Sequence, residues 1–316
     1  MKADTTYERD SRPASDVGRV ARLDLVFARR RGRTVLAHAY AEPPFRVGRL
    51  LDAGPVARMI LACSGPGVFA GDRLEQRVRV ERGARVLLVS QAALQLHPAV
   101  ASGSPSTGQA AVALGPSDRA GPRGPEVQAG PLGPEVQAGA ASLDSRYEIE
   151  DDGTLDCFWD PVIPFAGARL KQRIELRIAR GGDLFWSDAL MSGRVARGET
   201  WGFTALDHEL RASVAGSLTY LERYGLAPRS RDVTHTWSAH RANYLGTAIV
   251  HSASATPGRA EGAQLQLGAI DGLRAGVDCL APNLVVGRLL AASGPPFALG
   301  RAVLRDVFDR PALRRT

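Results

Sequence analysis

The clearest pattern along the chain is alternation. Leu74, Val78 and Val80 interleave with Glu75, Arg77 and Arg79, and Leu170, Ile174, Leu176 and Ile178 interleave with Lys171, Arg173, Glu175 and Arg177. A period of two puts successive side chains on opposite faces of a strand. One face here is apolar and the other charged, as in half-buried strands of an antiparallel sheet. Shorter apolar runs at 84–89, 184–190, 217–220, 233–237, 246–251 and 283–290 predict further strands between Gly- and Pro-bearing turns, and Arg30–Arg33 reads as a hairpin turn. The expected fold is all-β dominated: a large antiparallel β-sandwich or β-helix-like scaffold with one or two short α-helices.

A helical period is clear only near the C-terminus. Leu299, Val303, Leu304, Val307 and Phe308 fall on one face between Pro296 and Pro311. That stripe suits either packing on the sheet or a partner-binding face, with Leu304, Val307 and Phe308 as anchors. A second, short helix is expected around residues 91–96. Residues 1–18 read as a disordered leader and 19–316 as a single β-rich domain. Within it, residues 101–141 form a Gly/Pro/Ala/Ser-rich insert with a direct repeat, Gly124 to Gly130 and Gly133 to Gly139. Too few large apolar residues occur there to bury a core, so a flexible surface loop is expected.

Charge and cysteine content narrow the function classes. Net charge is +7, but residues 1–50 carry eleven basic and six acidic groups and residues 297–316 five and two, leaving −1 for all the rest. Arginine supplies nearly all the basicity and is scattered among carboxylates, so no nucleic-acid-binding stripe emerges. Cys63, Cys157 and Cys279 are odd in number and far apart, which argues against a disulfide framework or zinc knuckle and suits a reducing cytoplasm. The first residues lack the apolar run of a secretory signal, and no stretch approaches the ~20 apolar residues of a membrane-spanning helix.

Three segments are dense in turn residues and charge. Ser64 to Asp72 contains Gly67 and Gly71 and resembles a phosphate loop, but Asp72 stands where such a loop needs lysine. In Trp159 to Ala168, Pro161 and Pro164 bracket an apolar pair and hold Asp160 extended. Trp186 to Glu199 carries Asp188, Gly193, Arg194, Arg197, Gly198 and Glu199, read as a turn with a solvated ion pair or as a polar opening lined by carboxylates and guanidinium groups. The six histidines form no metal-binding motif, and neither a nucleophile elbow nor a dinucleotide fingerprint is present, so no catalytic residue is assigned.

Together the blocks Gly32–Thr34, Pro66–Leu74, Gly83–Val86, Ser90–Pro98, Trp159–Phe165 and Ser192–Glu199, with Tyr220–Tyr224, resemble the UreD (UreH) urease accessory family in sequence and order over most of residues 19–250. The resemblance implies a non-catalytic scaffold that binds apo-urease and, with UreF-type and UreG-type partners, helps deliver nickel through an internal passage. No tightly bound cofactor is then expected, only Ni2+ in transit. Asp72, Asp160 and Glu199 become candidate lining groups, with Gly67, Gly71, Pro161, Pro164, Gly193, Arg194 and Gly198 as structural motif positions. A β-sandwich or β-helical polysaccharide-active enzyme is the alternative.

Overall fold

A computed structural model describes residues 18–52, 56–98, 139–230 and 241–310. Residues 1–17 of the expected leader, most of the 101–141 insert and the expected strand at 233–237 lie outside the described residues. Two sheets face each other. The first contains β1 (Val20–Arg30), β2 (Arg33–Ala41), β6 (Arg73–Val80), β9 (Ala141–Ile149), β12 (Arg169–Ile178), β14 (Ala205–Val214) and β15 (Ser217–Leu226). The second contains β3 (Phe45–Val47), β4 (Leu51–Asp52), β5 (Ala57–Cys63), β7 (Arg85–Ser90), β8 (Leu94–Leu96), β10 (Thr154–Phe158), β11 (Val162–Pro164) and β13 (Asp183–Met191). Completing it are β16 (Tyr244–His251), β17 (Leu273–Ala281) and β18 (Leu284–Ala291).

Strand content agrees with the expected β-dominated class, but the interior pairing is parallel. The chain crosses repeatedly from sheet to sheet, so β6, β9, β12 and β14 lie parallel in the first and β5, β7, β10 and β13 parallel in the second. Antiparallel pairs flank this coil, as in β1–β2, β14–β15 and the β13–β16–β18–β17 series. Alternation misled the expectation of direction because parallel sheets are usually covered on both faces. Here the outer face of the first sheet remains charged instead. Arg77, Arg146, Glu175 and Arg211 stand in register across it, and Arg146 Nε donates to Glu175 at 2.7 Å.

Between the sheets lies the main core, which includes Leu25, Phe27, Met59, Tyr147, Leu155, Trp186 and Ile249. The outer face of the second sheet is covered by α1 (Pro257–Gly268) and α2 (Gly294–Val307), whose buried faces pack on Phe185, Val250, Val285 and Leu289. Helix α1 was not expected because its buried stripe is sparse, only Ala260, Ala263 and Leu267. Its start is nonetheless marked by Thr256, whose hydroxyl accepts from Arg259 N–H, and by Pro257.

Two expectations are corrected. Leu304 and Phe308 are each 1 % exposed and the partly buried Val307 packs against the same cluster, so these residues hold the helix on the sheet, while Leu299 of the same stripe is 53 % exposed. Residues 94–96 form β8, not a helix, because they pair with β11 and Val68 bridges to Leu96.

Candidate functional site

Strand alternation brings polar residues into the space between the sheets. On the first sheet Gln172, His208 and Tyr224 stand in register across β12, β14 and β15, with Gln76 and Ser145 on the neighbouring row. On the second, Asp188, Thr247 and Arg288 are in register across β13, β16 and β18. Two cavities result. One of ≈ 150 Å³ is lined by Cys63, Gln76, Ser145, Trp159, Asp160 and Trp186, among others, and the second, of ≈ 310 Å³, by Trp201, His208, Glu222, Tyr224, Thr247 and Arg288. Gln172 and Asp188 line both, so the cavities meet at this pair. Each has room for several waters.

The electrostatics of this interior are unusual for a sandwich core. Burial, and next the charge of Glu222, push the Asp188 carboxyl up to about 7. Burial holds the His208 imidazole down at about 4, with Arg288 adding to the shift, so the ring is neutral at neutral pH. Its Nδ1 donates to Gln172 Oε1 at 3.1 Å, which leaves the lone pair on Nε2, and that atom is buried without a hydrogen-bond partner. The ring stacks on Tyr224 at 4.6 Å. Glu222 accepts from Tyr220 Oη at 2.9 Å and Thr247 Oγ1 at 3.3 Å and pairs with Arg288 at 2.8 Å.

The motif segments converge elsewhere, in a cluster of loops. Asp72 accepts from the Arg19 N–H at 2.8 Å, Arg19 Nη2 at 2.9 Å and the Phe69 N–H at 3.0 Å. Burial raises its carboxyl, but these bonds outweigh that and hold it below the usual carboxylate range. Glu199 forks with Arg194, whose guanidinium lies 4.1 Å over the Phe165 ring. Phe165 meets His97 edge-on, and His97 stacks on Phe69. Gly67 and Gly193 are required sterically: both have positive φ, and an added Cβ would lie 2.3 Å from the Gln95 carbonyl and 2.6 Å from that of Glu199. Gly71 and Gly198 also have positive φ. Pro161 precedes β11 and Pro164 is its last residue, and the Pro161 carbonyl accepts from Leu94 N–H.

Of the three acidic candidates from the sequence, therefore, Asp160 lines a cavity, whereas Asp72 and Glu199 are absent from both linings and are held by arginines. Asp188 stood in a segment already singled out. Glu222 and His208 were not selected, and the signal that could have found them is polarity on the inward face of a strand: Glu222 follows Tyr220 in the β15 alternation, and His208 sits between Leu206 and Leu210. Among the described residues, no three His, Cys, Asp or Glu side chains gather closely enough to hold a metal ion, and no helix is long and apolar enough to cross a membrane.

Fold and interior together define a two-sheet β-coil scaffold with two adjoining polar, acid-bearing cavities between its sheets. Residues 19–315 match the family model described as UreD urease accessory protein, and the chain belongs to that family. Relatives named urease accessory protein UreD include one from Sorangium cellulosum, 33 % identical over 68 % of this chain and 57 % of its own length. Another, from Halalkalibacterium halodurans, is 27 % identical over 91 % of this chain and 92 % of its own. The alignment thus spans little more than half of the first relative and nearly all of the second.

Proposed function

We propose that this chain is a non-catalytic scaffold of urease maturation. In this reading it works in the cytoplasm, binds apo-urease with UreF-type and UreG-type partners, and passes nickel toward the enzyme through the space between its sheets. The observation that carries the reading is the junction of the two cavities at Asp188 and Gln172. Nickel is a borderline dication that imidazole, carboxylate and water all accept. A conduit must hold it weakly and at several places, since a closed site would trap it. Asp160, Asp188 and His208 supply such groups, spread over both cavities, and Glu222 adds its charge to the wall while paired with Arg288. Asp72 and Glu199 are reassigned to holding the loops.

Co-expression tests this. Apo-urease subunits with the UreF-type and UreG-type proteins in nickel medium are expected to gain activity, and to co-purify as a complex, only when this chain is present. Full activation without it would overturn the proposal.

A further inference from the structure

Arg288 bridges the two sheets at their end strands. It projects from β18, next to the end strand β17 of the second sheet, and reaches β15, the end strand of the first. There Nη1 lies 2.8 Å from Glu222 Oε1 and Nη2 donates to Tyr220 Oη at 2.7 Å, while that hydroxyl donates to Glu222. The side chain of Glu222 is 3 % exposed and that of Arg288 50 %, so the arginine runs from the cavity wall out to solvent. Its register partner on β17 is Gly276, where an added Cβ would meet nothing within 4 Å. No side chain at that position covers the guanidinium.

We propose that Arg288 and Glu222 form a lateral plug that closes the second cavity to divalent cations from bulk solvent. The inference rests on the passage reading and adds a control to it. In the closed state the guanidinium occupies a carboxylate that would otherwise bind a cation, and its own charge repels a dication arriving between β15 and β18. Arginine suits the task because it stays protonated at any pH the protein meets and its fork satisfies Glu222 and Tyr220 together. Ions in the passage are thereby kept from leaking sideways past the end strands.

Titration calorimetry of the full chain with Ni2+ alone, at mildly alkaline pH where the acidic groups are ionised, tests the plug. Removing the guard in Arg288→Gln is expected to tighten nickel binding about tenfold, since charge–charge terms at a partly buried site are several-fold larger than at the open surface. Arg288→Gln/Glu222→Gln should return to the parent's affinity or below it. Arg288→Lys, which keeps the charge but not the fork, should stay near the parent and covers the case in which the glutamine variant does not fold. Equal affinity in the parent and a folded Arg288→Gln, or an equal rise in the lysine and glutamine variants, would overturn the plug. Urease activation by Asp188→Asn separates the two readings. Full activation with tightened binding in Arg288→Gln would remove the conduit and keep the cation barrier, whereas lost activation with unchanged binding would do the reverse.

Discussion

The loop cluster and the cavities between the sheets both carry carboxylates, yet they treat them in opposite ways. Asp72 is surrounded by two backbone N–H groups and a guanidinium, and its acidity is strengthened. Asp188 is desolvated next to another carboxylate, and its acidity is weakened to about 7. A carboxylate whose lone pairs are already filled by the protein stabilises the fold and has little left to offer a passing cation. One whose desolvation outweighs its hydrogen bonds costs stability and gains most from a dication. Asp72 and Asp188 both lie in segments that stood out in the sequence, so prominence alone did not separate the carboxylate held by the loops from the one that lines the cavities.

The largest expected effect breaks the comparison on the functional side. Asp188→Asn/Glu222→Gln keeps the shape of the cavity wall and removes its two charges, so urease activation should fall about tenfold or more, given the ~1.5–3 kcal/mol typical of interactions with a charged group. Activation in co-expression, with circular dichroism to confirm folding, is the readout. Undiminished activation would place the ion's route elsewhere. Next comes Asp72→Ala, which strands the Arg19 and Phe69 donors and should lower unfolding free energy by about 2–3 kcal/mol in urea titration. An unchanged urea midpoint would mean that the loop cluster does not depend on its buried carboxylate.

A smaller effect concerns pH. Burial raises Asp156 and Asp188 to about 7, so between about pH 4 and 7 the folded state holds protons on both that the unfolded chain has lost. Their contribution to stability therefore falls as pH rises through that window. His208, depressed to about 4, does the opposite: the unfolded chain binds a proton up to about pH 6.5 that the folded state refuses, so its contribution rises with pH. Each proton is worth ~1.4 kcal/mol per pH unit. Asp188→Asn should flatten the net decline measured by urea midpoints between about pH 5 and 6.5, and His208→Gln should steepen it. Slopes moving in the same direction would show that the two groups do not titrate as their burial requires.

Much of the fold was legible because alternation reports directly on burial. Arg73–Val80, Arg169–Ile178 and the hairpin at Arg30–Arg33 follow from a period of two and a turn. Strand direction did not follow, since the same pattern serves parallel strands whose outer face stays wet, and only the crossovers between sheets decide it. Helix α1 escaped because alanines pack closely while giving a weak apolar signal. The cavity lining was hard to see for a related reason: Gln172, His208 and Glu222 become neighbours only through strand register, across residues distant in sequence. Turn-rich motifs stand out locally, but their prominence reports backbone demands such as those at Gly67 and Gly193.

The smallest expected effect sharpens the comparison most. Glu199→Gln keeps the size of the side chain and its hydrogen-bonding reach toward Arg194, and removes only the charge. The Arg194 guanidinium retains its contact with the Phe165 ring, and the turn keeps Gly193 and Gly198 in their conformations. Hydrogen bonds from Arg194 lower the Glu199 carboxyl, but the pair stands where water competes with it, and such pairs contribute little to stability. The thermal midpoint and urease activation of this variant should therefore match the parent within measurement error. A folded Glu199→Gln that fails to activate urease would show that the loop cluster handles the ion or the partner directly, and would reverse the division of labour between the two regions.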